Sequence, residues 1–439
     1  MPGISTLITN PRVEGYRKRN IRIGILHSGG PAPGGNKVLY AAALRALDHG
    51  VGLVAFQHGY EHLMSKKASE VAARWAIEVG REQIRYLRDQ NFLLPGTARA
   101  NPGKAIENID NLQDQGRTKA LTKVIDVFEA LRIGALISVG GDDTMRTANL
   151  LQIHHANLVG AGRAFSCFEG VVHVPKTIDK DYPGIDFTFG FITASQVIGK
   201  KIRRLRADAR ATATSKQLVY HIVEVMGRTA GWLTAASSIY GQATYAIIPE
   251  DFSERRDWTV QELAKKCADV ILTRKNQGKN YGVITICEGL GDLIVADQTK
   301  VKDEFGHTRH AEADLCGNLK RAIAAELAVR SKISFKSTAS KAGYEARQAE
   351  PNIFDELLCL QLGISAVNAV FSGKFGNMVS IKEALTPKLV PFSGLFDPQT
   401  VKVKNWILSP EEGLWQLLHG MEQPFETGVI DADPETRIG

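Results

Sequence analysis

The segment Ile21–Gly35, which reads IRIGILHSGGPAPGG, decides the fold of the N-terminal half. Ile21–Leu26 is a short apolar run, His27–Gly35 is rich in glycine, and Asn36–Leu47 has the periodicity of a helix. Strand, glycine turn and helix form the first unit of an α/β sheet. The turn also places backbone N–H groups before a helix N-terminus, as in phosphate sites, although its spacing matches neither the dinucleotide nor the P-loop fingerprint. A tight turn without a ligand is the alternative interpretation.

The same order of elements returns twice in the N-terminal half. Ala135–Val139 is apolar and is followed by Gly140–Thr144 (GGDDT), and Gly170–Val174 leads into Pro175–Asp181 (PKTIDKD). Ligands of open parallel sheets bind beyond the carboxyl ends of the strands. We therefore expect these glycine-rich and acidic loops to converge on one crevice.

The second half repeats this pattern and predicts a second doubly wound lobe. Its predicted strands and loops are Leu218–Val225 with Met226–Gly231 (MGRTAG), Thr244–Ile248, and Gly282–Cys287 with Glu288–Gly289; its predicted helices are Ala311–Arg330 and Asp355–Phe371. The segment from Pro387 onward has an irregular pattern. We predict an α/β protein of two Rossmann-like lobes, with mostly parallel sheets flanked by helices and the active site in the cleft between them. The expected organisation is an N-terminal extension (1–20), a phosphoryl-donor lobe (21–190), a sugar-phosphate lobe (191–343) and a C-terminal segment (344–439) that completes the lobes.

Composition excludes several classes of protein. The chain has 439 residues, of which 44% are hydrophobic and 23% charged, values typical of a folded globular protein rather than a disordered or fibrous one. No stretch of about 18 apolar residues is evident, and Met1–Asn20 has no apolar core of a secretory signal. Five scattered cysteines without zinc-ligand spacing favour a reducing cytoplasm and no structural metal.

The net charge of +7 admits polyanionic ligands. Basic residues concentrate in Lys200–Arg210 (KKIRRLRADAR). Neither a docking motif nor stacking aromatic residues lie near it, so a solvated helix face or a subunit contact is the expectation, rather than binding of nucleic acid.

Two pairs of carboxylates follow neighbouring predicted strands. Asp142 and Asp143 come directly after two glycines, and Asp179 and Asp181 lie two residues apart after another strand. Carboxylates beside a phosphate-type loop indicate Mg²⁺ and a general base, although each Asp could instead cap a helix or a turn. Cations lie in successive loops and suit phosphate oxygens: Arg99, Lys176, Arg228 and Arg347.

Together these loops resemble those of the phosphofructokinase family over most of Ile21–Ser372, in the family's order. The matching elements are SGGPAPG, the GTAR turn that ends at Arg99, GGDDT, PKTID-x-D, VEVMGRTAGWL, CEG and GYEAR. The resemblance implies transfer of a phosphoryl group to the C1 hydroxyl of fructose 6-phosphate in glycolysis, with Mg²⁺ as cofactor. It also implies a homodimer or homotetramer that acts on small molecules, without nucleic acid or membrane.

The resemblance also implies roles for individual residues. Gly29, Gly30, Arg99 and Lys176 would hold the phosphoryl donor, Asp142 would hold Mg²⁺, and Asp179 would be the base. Asp181 is expected to orient the metal or the base. The sugar phosphate would be bound at positions Thr177, Asp179, Met226, Gly227, Arg228, Glu288, Tyr344 and Arg347.

Two positions bear on the identity of the donor. Members that use ATP resemble G-G-D-G-[ST] and have Gly before the Thr of TID, whereas this chain has Asp143 and Lys176 there, as in the pyrophosphate-dependent branch. The carboxylate of Asp143 would oppose the α-phosphate of a nucleotide, since like charges 4 Å apart at an effective dielectric constant of 20 cost about 4 kcal/mol. Lys176 supplies a cation for the compact pyrophosphate. Both are therefore counted among the catalytic residues, and pyrophosphate is the expected donor.

The chain departs from the family pattern in places, and other functions stay open. Lys180 stands between the two Asp residues where the family has Asn or Gly, and Val219 stands where many members carry an Arg that reaches a neighbouring subunit. A second Arg, which in the family precedes the GYEAR-type loop, is also unmatched, with Lys336 and Lys341 as possible substitutes. Sites shared between subunits therefore do not follow from the resemblance. The alternatives are an ATP-dependent 6-phosphofructokinase, an NAD or lipid kinase, and a non-catalytic regulator that binds sugar phosphate.

Overall fold

The computed structural model describes residues 10–255, 257–292 and 314–422. The chain forms two compact units. Unit 1 comprises Met1–Ile178, Tyr182–Thr193 and Arg347–Asn405, and unit 2 comprises Asp179–Asp181, Ala194–Ala346 and Trp406–Gly439. The three residues Asp179–Asp181 therefore group with unit 2, although their chain neighbours on both sides belong to unit 1.

The described residues contain strands and helices in alternation. The strands are β1 (Arg22–His27), β2 (Leu53–Phe56), β3 (Ala76–Glu78), β4 (Ile133–Gly140), β5 (Gly170–Pro175), β6 (Gln217–Val225), β7 (Tyr245–Ile247), β8 (Tyr281–Cys287), β9 (Ser334–Ala342), β10 (Asn377–Ile381) and β11 (Pro387–Pro391). The helices are α1 (Pro11–Lys18), α2 (Gly35–Asp48), α3 (Glu61–Ser65), α4 (Ala68–Arg74), α5 (Arg81–Asp89), α6 (Gln115–Ala130), α7 (Asp142–Gly160), α8 (Phe191–Thr212), α9 (Trp232–Gly241), α10 (Val260–Asn276), α11 (Leu315–Arg330), α12 (Ile353–Phe371) and α13 (Gly413–Glu422).

Unit 1 is built on a seven-stranded sheet of order β11-β10-β5-β4-β1-β2-β3. Its five inner strands are parallel, and the two edge strands β3 and β11 are antiparallel to their neighbours. Every residue of β4 and of β5 is buried, as expected for apolar strands covered on both faces. The carboxyl ends of β1, β4 and β5 therefore lie side by side, and the glycine loop, GGDDT and PKTIDKD follow from them.

Helix α12 packs mainly on α2 in unit 1. With 19 residues and a mean hydropathy of 1.5, it is long and apolar enough to cross a membrane. It is not an unbroken apolar run, however, because Asp355, Glu356 and Gly363 interrupt its apolar residues, as expected for the longest apolar stretches of this sequence. The helix is apolar because most of its most hydrophobic window is buried within the fold.

Unit 2 is built on a four-stranded parallel sheet of order β7-β8-β6-β9. Its core contains apolar side chains from β6 and β8 together with those of α10 and α11. Strands β6, β8 and β9 end at Val225, Cys287 and Ala342, which lie in register. The MGR, CEG and GYEAR segments therefore start at one edge of this sheet.

The C-terminal part is more regular than its sequence indicates. The segment after Pro387 contains the strand β11 and the helix α13, so the expectation of an irregular segment was wrong for these residues, whereas residues 395–412 between them form neither a helix nor a named strand. Proline is tolerated in β11 because this strand lies at the edge of the sheet. The sequence patterns at 1–9, 311–313 and 423–439 lie outside the described residues.

Candidate active site

In unit 1 the glycine loop is attached to the GTAR turn by backbone and side-chain hydrogen bonds. The N–H of Gly29 donates to the Ala98 carbonyl at 3.0 Å, and the Thr97 hydroxyl donates to the Gly29 carbonyl at 2.7 Å. Gly29 has φ +80°, a left-handed conformation that favours glycine. The loop thus holds Arg99, which follows Ala98 directly and is exposed, beside Gly29.

Lys176 reaches this glycine loop from the end of β5. Its ammonium group donates to the Gly30 carbonyl and lies 3.7 Å from the position that a Cβ on Gly29 would take. Lys176 is only 6% exposed. A buried lysine at a phosphate-type loop is a strong point charge, because little water screens it.

Asp142 and Asp143 are the first two residues of α7. The N-cap is Gly141, which carries no side chain, so neither Asp is the cap itself. Both carboxylates are half-buried in the first turn, where the helix dipole favours negative charge. Arg146 lies one turn further; burial lowers the pKa of its guanidinium, and attraction to Asp143 opposes that shift.

Arg347 and Thr177, both predicted to bind the sugar phosphate, belong to unit 1. The guanidinium carbon of Arg347 lies 3.4 Å from the position of a Cβ on Gly30. Arg347 therefore lies beside the glycine loop, a position that its sequence motif did not indicate. Thr177 forms a pair of hydrogen bonds with Thr188, through its N–H at 3.3 Å and its carbonyl at 2.9 Å.

In unit 2 the MGR, CEG and GYEAR segments pack closely where their strands end. The N–H of Met226 donates to the Ala342 carbonyl, and the N–H of Gly289 donates to the Gly227 carbonyl, both at 3.0 Å. Gly343 has φ +150°, and a Cβ there would lie 2.6 Å from that of Met226. The predicted sugar-site residues Met226, Gly227, Arg228, Glu288 and Tyr344 are therefore brought together, and the Tyr344 side chain is 62% exposed.

The loop Asp179–Asp181 is held by groups of unit 2 on both of its sides. The Thr229 hydroxyl donates to Oδ2 of Asp181 at 2.8 Å, and the Trp406 N–H donates to the Asp181 carbonyl at 2.9 Å. Asp181 is 9% exposed, whereas Asp179 is half-buried. Asp179 therefore lies two residues from a position that is held by both its carboxylate and its backbone carbonyl.

Sequence reasoning missed an ion pair between a buried carboxylate and an exposed lysine next to the MGR and GYEAR loops. Glu224, which is 2% exposed, lies 3.2 Å from the Lys341 ammonium across the β6–β9 pair. Its second oxygen accepts the N–H of Cys316 at 3.2 Å, in the first turn of α11. The pair lies two residues before Met226 and before Gly343, so it anchors both loops; the apolar residues around Glu224 in β6 were the one available signal.

Among the described residues no group of three or more His, Cys, Asp or Glu side chains is arranged to hold a metal ion. Mg²⁺ does not require such a cage, because it usually takes one or two carboxylates and completes its shell with water and substrate phosphates. The half-buried carboxylate of Asp142, adjacent to the glycine loop's strand, fits that donor set. Asp181 is less suited, since it is buried and accepts from Thr229.

Comparison with known proteins identifies the relatives of this chain. Residues 22–370 match the phosphofructokinase family. A pyrophosphate–fructose 6-phosphate 1-phosphotransferase of Thermotoga maritima is 31% identical over 94% of this chain and 93% of its own length. An ATP-dependent 6-phosphofructokinase of Streptomyces coelicolor is 30% identical over 82% of this chain and 91% of its own length.

The fold comparison agrees with the sequence comparison. The crystal structure of a pyrophosphate-dependent phosphofructokinase from Nitrosospira multiformis superimposes with a TM-score of 0.63. It covers 92% of this chain and 91% of that structure, at 18% sequence identity. At that identity the likeness supports the two-lobe α/β fold.

Proposed function

The chain belongs to the phosphofructokinase family, and from this premise we propose that it transfers a phosphoryl group from pyrophosphate to the C1 hydroxyl of fructose 6-phosphate. The products are fructose 1,6-bisphosphate and phosphate, and the reaction is reversible. The observation that carries the proposal is the position of Lys176, whose buried ammonium group binds the Gly30 carbonyl of the glycine loop. A cation at that point favours a compact, highly charged donor.

Asp143 supports the same choice of donor, because its negative charge disfavours ATP, whereas the positive charge of Lys176 favours pyrophosphate. Its carboxylate stands in the first turn of α7, directly after the glycines that end β4. A nucleotide has to bring a third phosphate past such a loop, and like charges in a partly desolvated site repel by several kcal/mol. Pyrophosphate has only two phosphates and avoids this contact.

The proposed mechanism assigns a task to each unit. In unit 1 the glycine loop, Arg99 and Lys176 bind the donor and neutralise the charge that spreads over the transferred group. In unit 2 the MGR and CEG residues and Tyr344 bind the sugar phosphate, and Asp179 accepts the proton of the C1 hydroxyl as its oxygen attacks phosphorus. The departing phosphate takes the electron pair of the broken P–O bond.

Mg²⁺ is the proposed cofactor. Asp142 would hold it, and the ion would supply neutralisation of the donor's phosphate oxygens. Asp181 is proposed to orient the base rather than the metal, because its side chain is buried and its Oδ2 accepts from the Thr229 hydroxyl, while its backbone carbonyl accepts from the Trp406 N–H.

A second candidate is the same transfer with ATP as donor. It is favoured by the Streptomyces coelicolor relative, whose identity to this chain differs by one percentage point from that of the Thermotoga maritima protein. The two candidates share the base and the sugar site, so only donor-side residues distinguish them.

The donor assignment is tested by exchanging its two residues. The double variant Asp143→Gly with Lys176→Gly should lower kcat/KM for pyrophosphate and raise kcat/KM for ATP, because it removes the repelling carboxylate and the favourable cation together. Steady-state rates with each donor, at saturating fructose 6-phosphate and equal Mg²⁺, give this comparison. The two single variants separate the two effects. Asp143→Gly should mainly raise kcat/KM for ATP, and Lys176→Gly should mainly lower kcat/KM for pyrophosphate. A double variant with an unchanged donor ratio contradicts the assignment.

A further inference from the structure

The backbone at Lys180 is unusual. Lys180 lies between Asp179 and Asp181 and has φ +55°, the left-handed region that residues with a side chain rarely adopt. Such a conformation persists only where surrounding contacts hold it. Something in unit 2 must therefore stabilise this residue in that state.

Two tryptophan rings supply that contact. The Lys180 ammonium lies 4.2 Å from the ring centroid of Trp232 and 4.8 Å from that of Trp406. The two indoles are themselves 4.8 Å apart, with an angle of 55° between their planes. The two distances from the ammonium to the rings lie within the range of a cation–π interaction, for which tryptophan is the best partner.

Trp406 is fixed in its turn by hydrogen bonds of its backbone and of its ring. Its backbone N–H donates to the Asp181 carbonyl at 2.9 Å, and its backbone carbonyl accepts from the Trp232 indole N–H at 3.1 Å. Its indole donates to Glu412 at 3.2 Å. The C-terminal segment therefore binds the backbone of the Asp179–Asp181 loop and its central side chain at once.

The same segment is anchored a second time near the MGR loop. Oε1 of the half-buried Glu250 accepts the N–H of Gly231 at 2.8 Å and the N–H of Leu408 at 3.0 Å. Gly231 is the N-cap of α9, the helix that begins with Trp232. One carboxylate thus holds together the two chain segments that carry the two rings.

We propose that Lys180 is a positioning residue, and that its binding between Trp232 and Trp406 sets the orientation of Asp179 toward the sugar hydroxyl. This inference rests on the proposed role of Asp179 as base. The clamp, meaning Lys180, Trp232 and Trp406, makes the C-terminal segment a part of the catalytic apparatus. Because the base acts on the sugar, the clamp affects turnover equally with either phosphoryl donor.

The kinetic effect of a substitution distinguishes a positioning role of Lys180 from a direct contact with phosphate. A lysine that bound phosphate itself would change KM when it was replaced, and would not depend on the ring of Trp406. A lysine that positions the base lowers kcat instead, and small displacements of a reacting group cost up to ~10²-fold in rate.

The test compares substitutions at Lys180 and Trp406 in the full chain. Lys180→Met keeps the apolar stem without the charge, and Trp406→Leu keeps apolar volume without the ring. Each should lower kcat by ~10-fold or more while KM for fructose 6-phosphate changes by less than ~3-fold. Lys180→Arg and Trp406→Phe retain a cation and a ring and should restore most of kcat.

Lys266 offers a matched control. Lys266 lies on helix α10 of the same unit, and its ammonium is 5.7 Å from the ring centroid of Trp258. Lys266→Met should leave kcat unchanged. The clamp proposal is overturned if Lys180→Met retains the parent kcat, if KM rises in place of the loss of kcat, or if Lys266→Met causes the same loss.

A second measurement separates this proposal from the proposed function. Hydrogen–deuterium exchange should be faster in peptides that span 179–182 and 401–409 of Lys180→Met than in the parent, because the Trp406 N–H bond to Asp181 is loosened. If the parent turns over fructose 6-phosphate with neither donor, the proposed function fails and the exchange experiment alone decides the clamp. Unchanged exchange in both peptides then overturns it.

Discussion

At the scale of single residues, the proposed phosphoryl transfer depends on where the charged side chains of the PKTIDKD loop lie. Lys176 places a cation on the Gly30 carbonyl, whereas Lys180, four residues further, carries its charge against two indoles. The sequence shows both as lysines of one loop, PKTIDKD. Their separation into two units fits the proposal that one short loop serves both the donor and the base.

Replacement of the base gives the first prediction at this scale. Asp179→Asn should lower kcat by ~10²–10⁴-fold with either donor, because general base catalysis contributes that much, while the affinity for fructose 6-phosphate changes little. Steady-state kinetics with sugar binding measured by calorimetry provides both quantities. Asp186→Asn, an exposed carboxylate of the following segment, is the control. A variant at Asp179 with turnover near that of the parent would remove this residue from its role.

At the scale of elements, β1, β4, β5, β6, β7 and β8 and the loops that follow them could be predicted, whereas β2, β3, β9, β10 and β11 could not. Strands β1, β4, β5, β6 and β8 are continuous apolar runs because they are buried on both faces, so their patterns are strong. Strand β9 reads SFKSTASKA and is a strand only because it pairs with β6 at the sheet edge. Local sequence does not contain that information.

Gly343 gives a prediction for one of these loops. Gly343→Ala should raise KM for fructose 6-phosphate and lower the free energy of unfolding by about 1–3 kcal/mol, because φ is +150° and the new Cβ would meet Met226 at 2.6 Å. Steady-state kinetics and denaturant titration measure the two effects. Gly278→Ala is a suitable control, since Gly278 also has positive φ but has no atom within 4 Å of the added Cβ. An equal effect of both variants would show that close packing at Met226 does not matter.

At the scale of the whole molecule, the candidate site residues could be predicted better than the distant residues that hold their loops in place. The residues of the candidate site belong to compact loops with recognisable spacing. The support comes from far along the chain: Trp406 contacts the Asp179–Asp181 loop, and Glu224 binds the first turn of α11. Such contacts depend on the tertiary fold. The sequence alone therefore left both the C-terminal segment and the role of Lys180 open.

Buried histidines predict how stability depends on pH. Burial lowers the pKa of His27 and of His173 to about 3 from an ordinary value of 6.5. As the pH falls below 6.5 the unfolded chain takes up these protons and the folded chain does not, so stability should fall until about pH 3, by up to about 1.4 kcal/mol per pH unit for each histidine. Glu250 and Asp355 act in the opposite direction, because burial raises their pKa and their ionised forms destabilise the folded state.

Melting temperatures between pH 7 and pH 4 measure the net slope. His173→Gln should make the slope shallower, and Glu250→Gln should make it steeper, since the first removes a loss on acidification and the second removes a gain. His49→Gln, a half-buried histidine at the end of α2, is the control. Parallel pH curves for the parent and both variants would contradict the assignment.

The most direct test of the donor is a comparison of pyrophosphate and ATP with the unmodified protein. Formation of fructose 1,6-bisphosphate is followed with each donor separately, at equal Mg²⁺ and saturating fructose 6-phosphate. With Asp143 and Lys176 in place, kcat/KM for pyrophosphate should exceed that for ATP by ~10²-fold or more, as expected when a like-charge contact costs several kcal/mol. A kcat/KM for ATP equal to or above that for pyrophosphate would contradict the account.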